Sequence, residues 1–336
     1  MIGAVPGYGH LRTMTDRYGT FEHAEGTRPR QEHGYCTDDV ARLLLVTARE
    51  PRPSPMSTEL RRGALKFVTA AQDATGAIRN RRSASGRWSG RHAVEDAWGR
   101  SLWGLGAAAT GSDVTGEVAL AAFERGALRR SPWPRSMAFA ALGAASVFAA
   151  DPRNRRAHAV LDDAAAMLGS LPRDHGWSWL EPRLTYANPV LPEAMIAAGT
   201  ALRRPGLVTD GLALLDWLLE RETHDGHLSV GYVGGAGPGD PVRGFDQQPI
   251  EVAAMADACA RAATVDGSPR WPEGVRMAAA WFDGANDRQV RMWDVASSGG
   301  YDGLMDDGVN LNQGAESTLA LLSTFQQAAR FQPASL

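Results

Sequence analysis

The sequence predicts an all-α protein, a closed (α/α)6 toroid of helical hairpins built as one domain over residues 1–336. Three observations predict it. Alanine and leucine dominate while β-branched alternating runs are scarce. About eleven segments repeat apolar residues at spacings of three and four. Those segments also alternate in kind: one set is apolar nearly all round and must be buried on every side, the other carries an ordinary charged stripe.

The elements follow in order. Residues 39–48 (DVARLLLVTA) form the first inner helix and 59–72 (ELRRGALKFVTAAQ) the first outer one. Inner and outer partners then recur at 96–109 and 117–128, 136–149 and 155–168, 189–201 and 207–221, and 249–262 and 272–282. The sixth inner helix is 314–328. Only five outer helices follow the first inner one, so 10–16 (HLRTMTD) is expected to supply the sixth. Turns with Asp and Gly lead into short extended pieces in QDATGAIRN, PRDHGWSWL and ETHDGHLSV, about fifty residues apart or a multiple of that. A helical-hairpin repeat of that length means a ring or a solenoid. The long, unequal loops 231–245 and 283–308 argue for the ring.

Composition narrows the function. With 44 % hydrophobic and 22 % charged residues the chain is globular. Its 35 basic and 38 acidic residues leave a net charge of −3, so nothing neutralises a phosphate backbone and nucleic acid is excluded as a partner. Two cysteines, Cys36 and Cys259, are too few for a disulfide scaffold or zinc cluster. The start lacks a charged segment followed by an apolar run, and no apolar stretch reaches membrane-spanning length, so a cytoplasmic protein is expected.

No P-loop, HExxH or GxSxG is present. The loose GxGxxA at Gly104–Ala109 lies in an apolar helix with no strand before it, which rules out dinucleotide binding there. Histidines 10, 23, 33, 92, 158, 175, 224 and 227 show no helical pair at metal spacing, and 302–312 does not match a calcium loop. No metal or cofactor is expected.

The informative pattern is where the acids fall. Asp38 and Asp39, Glu95 and Asp96, Glu193, Glu251 and Glu316 open five of the six inner helices; the third opens with Arg135 and Ser136. A single acid there is accounted for by about 0.3–1 kcal/mol of macrodipole stabilisation or by capping. Asp39 with Arg42 and Asp96 with Arg100 are also spaced as local ion pairs. In a ring, however, all inner helices run the same way and their N-termini meet in one funnel. Gathering like charges there costs energy and raises pKa values, which suits an active site better than a stability device. Aromatic residues sit nearby in sequence, including Tyr35, Trp88, Trp98, Trp179, Tyr186 and Tyr301, and can stack on pyranose faces.

Paired carboxylates with aromatic platforms point to glycosidic-bond chemistry. The catalytic candidates are Asp38, Asp39, Asp96, Glu193 and Glu251. Tyr35, Arg42, Trp98, Arg100, Trp179, Tyr186, Asn188, Asp246, Gln247, Gln248, Asn312, Gln313 and Glu316 are expected to shape the sugar subsites.

The run His33–Arg42 (HGYCTDDVAR), with EDAWGR at 95–100, NPVLPE at 188–193, DQQPIE at 246–251 and NQGAE at 312–316, resembles the six-hairpin glycosidase-like (α/α)6 proteins. Within them it is similar to a bacterial group bearing a GYCTDDxAR block, fused to or encoded beside glycosyltransferases. The resemblance spans residues 11 to about 322 and implies an oligosaccharide or glycoside substrate and association with a glycosyltransferase. Val40 stands where the group's pattern leads one to expect Asn, a lost amide that bears on substrate choice. No strand–helix alternation of a nucleotide-sugar transferase is present.

A glycoside hydrolase is therefore expected. The alternatives are a sugar epimerase or isomerase using His23, His33 or His92, and a non-catalytic carbohydrate-binding partner of a transferase. Far-UV circular dichroism should show a mainly helical protein, and limited proteolysis should release no two stable halves. Substantial sheet signal would refute the toroid.

Overall fold

The computed structural model describes residues 5–111, 113–170 and 177–331. Among them are twelve α-helices: α1 (Gly9–Thr13), α2 (Thr37–Ala48), α3 (Pro55–Ala71), α4 (Asp96–Ala108), α5 (Val114–Gly126) and α6 (Pro134–Ala150), then α7 (Arg155–Gly169), α8 (Val190–Ala201), α9 (Pro205–Arg221), α10 (Pro249–Ala262), α11 (Arg270–Phe282) and α12 (Ala315–Ala329). The even-numbered helices from α2 to α12 form the inner ring. Each packs on the next, and α12 returns to α2, so the ring closes. The odd-numbered helices lie outside, with the short α1 against α12 as the sixth outer element. His10 ties α1 down through a 2.7 Å bond to the Gln313 carbonyl. No helix among the described residues is long and apolar enough to cross a membrane.

The inner helices bury their whole circumference, as in α6, where Met137–Ala144 are all buried. Outer helices bury one stripe, as in α3 with Leu60, Ala64, Leu65, Phe67, Val68 and Ala71. The remaining chain forms small two- and three-stranded sheets of two- and three-residue strands at the helix ends. The expected Asp-Gly turn at ETHDGHLSV is the hairpin pairing Thr223–His224 with His227–Leu228. Its tip holds Asp225 at φ 50° and Gly226 at φ 81°, conformations for which this residue pair is suited. In QDATGAIRN the Asp73 carboxylate accepts the Thr75 and Ala77 amides at 2.8 and 3.1 Å. In PRDHGWSWL, residues 172–176 lie outside the described residues.

Glycine sets how closely the inner helices approach. A Cβ on Gly99 would overlap the Ser136 carbonyl, and one on Gly106 the Gly143 carbonyl. One on Gly143 would overlap the Leu102 carbonyl, while one on Gly104 would lie 2.6 Å from the Ala41 carbonyl. The glycines of the loose GxGxxA are thus packing surfaces of α4 toward α2 and α6.

Gly143→Ala should lower stability by about 1–3 kcal/mol through overpacking. Gly63→Ala on α3, where an added Cβ meets nothing within 4 Å, should be neutral or stabilising. Thermal unfolding of the two variants checks this; equal melting temperatures would refute the close-packed ring.

Candidate active site

The inner helices do not use their own acids as caps. Cys36, Glu95, Pro189, Gln248 and Gly314, the N-caps of α2, α4, α8, α10 and α12, make no side-chain cap bond. Outer helices α3, α5 and α7 are capped conventionally by Ser54, Asp113 and Asn154. At α2 the cap comes from elsewhere: the Asn80 amide oxygen accepts the Thr37 and Asp38 backbone N–H groups at 3.1 and 3.3 Å. Asp38 and Asp39 are left for other work.

A funnel of about 640 Å³ opens at this end of the ring. Seven carboxylates line it: Glu22, Asp38, Asp39, Asp96, Asp246, Asp302 and Glu316. Arg30, Arg42, Arg81 and Arg100 interleave them, with His23, His33, Tyr186, Gln248 and Asn312 also in the wall. Arg42 bonds Asp39 and Glu316, both at 2.5 Å. Arg100 lies over the Phe139 ring at 4.1 Å, its Nε 3.6 Å from Asp38 Oδ1. Asn80 donates to Asp38 Oδ2 at 2.8 Å, leaving Oδ1 buried without a hydrogen bond among the described residues. Asp96 accepts from the Ser136 and Tyr186 hydroxyls at 2.7 and 2.6 Å.

Burial and the neighbouring Asp302 carboxylate push Asp246 up to about 6, and its Oδ1 also has no described partner. Asp302 is raised as well, chiefly by burial. Burial raises Asp39, against the pull of Arg42. Glu22, Asp302, Arg30 and Arg81 were not anticipated. Glu22, Arg30 and Asp302 sit on loops and Arg81 on a two-residue strand, brought in by pairings distant in sequence, such as Cys36 with Arg81 and the ion pair of Arg81 with Glu22.

Other expected site residues lie elsewhere. Glu193 projects from α8 to the opposite end of the ring, where Arg261 is 3.4 Å away. Glu251 is buried and accepts the Ala187 and Asn188 amides at 2.5 and 3.3 Å, fixing the chain beside Tyr186. It borders a separate cavity of about 500 Å³, shared with Tyr186, Tyr232 and Gln248. Asn188 is buried and accepts from Arg135. Gln247 is buried and donates to Asp287 at 2.6 Å, and Gln313 accepts from Ser297 at 2.7 Å. The expected aromatic platforms are largely core. Tyr35 is fully buried and donates to Asp16, Trp98 donates to the Gly126 carbonyl, and Trp179 stacks on Trp217. Large rings fill space between helices more readily than they line a polar funnel. Of the aromatics proposed for sugar stacking, Tyr186 alone faces it. Val40 is also buried in the core. His92 pairs with Asp73 at 3.6 Å outside the funnel wall.

No family model and no curated protein matches this sequence. Solved structures do share the fold. A sugar epimerase from a ruminal bacterium superposes with a TM-score of 0.71 at 10 % identity, over 96 % of this chain and 95 % of its own. Cellobiose 2-epimerase from Spirochaeta thermophila gives 0.70 at 13 % identity, over 96 % and 92 %. An alpha-1,6-mannanase of Salegentibacter sp., held with alpha-1,6-mannotetrose, gives 0.64 at 13 % identity, over 96 % of each chain. The fold is that of the (α/α)6 toroid.

Beside the cavity of about 500 Å³, Glu222 is buried and accepts the Gly231 amide at 3.2 Å, its Oε2 is unpartnered among the described residues, and burial and Glu251 raise it to about 8. A raised carboxyl contributes stability below its unfolded pKa and loses it as pH climbs through the folded one. Glu222→Gln should therefore melt near wild type at pH 5 and a few degrees above it at pH 8 to 9. Melting curves across that range test this; a constant difference would refute it.

Proposed function

We propose that this protein is a carbohydrate-processing enzyme that hydrolyses a glycosidic bond in the acidic funnel. One observation carries the reading. Two carboxyl groups in different environments line the same cavity: Asp246, raised to about 6 with its Oδ1 buried and unbonded among the described residues, and Asp96, oriented by two hydroxyl donors. Divergent environments are what separate an acid from a base.

Asp246 donates its proton to the leaving glycosidic oxygen as the bond to the anomeric carbon breaks. Asp96 takes the proton of the attacking water or itself attacks that carbon. Arg42 and Arg100 hold the neighbouring acids in place, and Asp38, Gln248, Asn312 and Glu316 offer bonds to sugar hydroxyls. Tyr186, 45 % exposed, supplies a ring face for stacking. The mannanase supports a carbohydrate substrate: on the same scaffold it is held with an oligosaccharide.

A second reading, sugar epimerisation or isomerisation, is favoured by a different feature. His23 and His33 both face the funnel with ring centroids 5.0 Å apart. Such a pair can remove a proton from a ring-opened sugar and return it. The two epimerases on the same scaffold support it.

Incubation with aryl glycosides, alpha-1,6-mannotetrose and cellobiose separates these readings. Hydrolysis releases new reducing ends, and Asp246→Asn and Asp96→Asn should each lower it about 10²–10⁴-fold. With Asp246 as acid, the rate should fall as pH rises through about 6. Epimer without cleavage, abolished by His23→Ala or His33→Ala, would replace the first reading with the second. Saccharide binding without any turnover would make the protein a binding module.

A further inference from the structure

The end of the ring opposite the funnel holds a cavity of about 430 Å³, within the size range of small-molecule sites. Arg49, Arg261 and Arg330 enter it from the C-terminal ends of α2, α10 and α12. Two acids accompany them, and both are occupied. Asp257 accepts from Arg49 at 2.8 Å, Gln327 at 2.5 Å and Ser323 at 3.3 Å, and Glu193 accepts from Arg261 at 3.4 Å.

Three cations therefore face two anions. Among the described residues Arg330 has no acidic partner and bonds only the Gln327 side chain, at 2.6 Å. Arg261 Nε is buried without a partner. Arginines at helix C-termini commonly serve the terminal carbonyls. Here none of the three guanidiniums donates to a backbone carbonyl among the described residues. Each offers about five N–H donors in a fork that matches an oxyanion, and most are unspent. Burial, with repulsion from Arg49 and Arg261 and against the pull of Asp257, holds Arg330 below its ordinary pKa.

We propose that this cavity binds a small phosphate-bearing anion, at a site separate from the funnel. Between the two lies the narrow lumen, lined mostly by apolar side chains such as Leu45, Val46, Phe139 and Leu319, with Arg42 and Arg100 at its funnel end and Glu193 and Asp257 at the other. The ligand is read by its oxyanion, with Arg330 and Arg261 as its principal donors and Thr110 and Thr264 in the surrounding wall.

Isothermal titration at constant ionic strength tests this, with inorganic phosphate, glucose 6-phosphate and glucose as probes. Saturable phosphate binding is expected. It should weaken at least about tenfold in Arg330→Gln and in Arg261→Lys, which keeps the charge facing Glu193 but removes the fork. Asp96→Asn in the funnel should leave it unchanged. Tighter binding of glucose 6-phosphate than of phosphate identifies a sugar phosphate as the ligand, and equal binding identifies free phosphate. Absence of saturable binding, wild-type affinity in both arginine variants, loss of phosphate binding in Asp96→Asn, or glucose binding that weakens in Arg330→Gln as phosphate binding does would each overturn the proposal.

Discussion

Arg42, buried inside the ring, bonds Asp39 one turn away on α2 and reaches Glu316 on α12, so that a single guanidinium joins the first inner helix to the last. Gln326, donating to the Val46 carbonyl at 2.9 Å, and Arg49, donating to Ser323 at 3.4 Å, cross the same seam between α2 and α12; ring closure depends on that seam, and the funnel depends on ring closure. A buried cation with one carboxylate removed is strongly destabilising, whereas a fully bonded triad is tolerated. The seam is therefore both a fastening and a constraint on which acids are free to react. Asp39 and Glu316 are bonded to Arg42, while Asp38, Asp96 and Asp246 line the cavity without an ion pair shorter than 3.6 Å among the described residues.

The fold was legible because a ring makes a demand that sequence records directly. Helices such as α6 and α8 carry no polar face, and only encirclement by other helices can bury them. The small sheets were not legible, since strands of two or three residues are too short to show a period. The packing role of Gly104 and Gly106 was invisible for another reason: it exists only through the carbonyls of α2 and α6.

The site was legible in part, and its failures are geometric. Each helical residue turns about 100° and climbs about 1.5 Å, so acids in the same first turn face different ways. Asp96 is the first residue of α4 and looks into the funnel; Glu193 is the fourth of α8 and looks down the ring. Glu251 reaches sideways to the Ala187 amide instead of forward. Glu22 and Asp302 carry no local signal because the loops bearing them are placed by pairing with distant chain. Asp246 was expected to bind sugar, and its burial beside Asp302 suits it to proton donation.

Asn80 completes the start of α2, and Glu316 completes its side. This has a consequence for the order of assembly during synthesis. The first inner helix is made early, yet its leading amides wait for a side chain more than forty residues downstream, and its buried arginine waits for nearly the whole chain. Until then an apolar rod stands open to solvent, its arginine paired only with Asp39. A nascent chain in that condition exposes the apolar surface that makes folding intermediates prone to aggregate, and it buries that surface fully only when the last hairpin arrives.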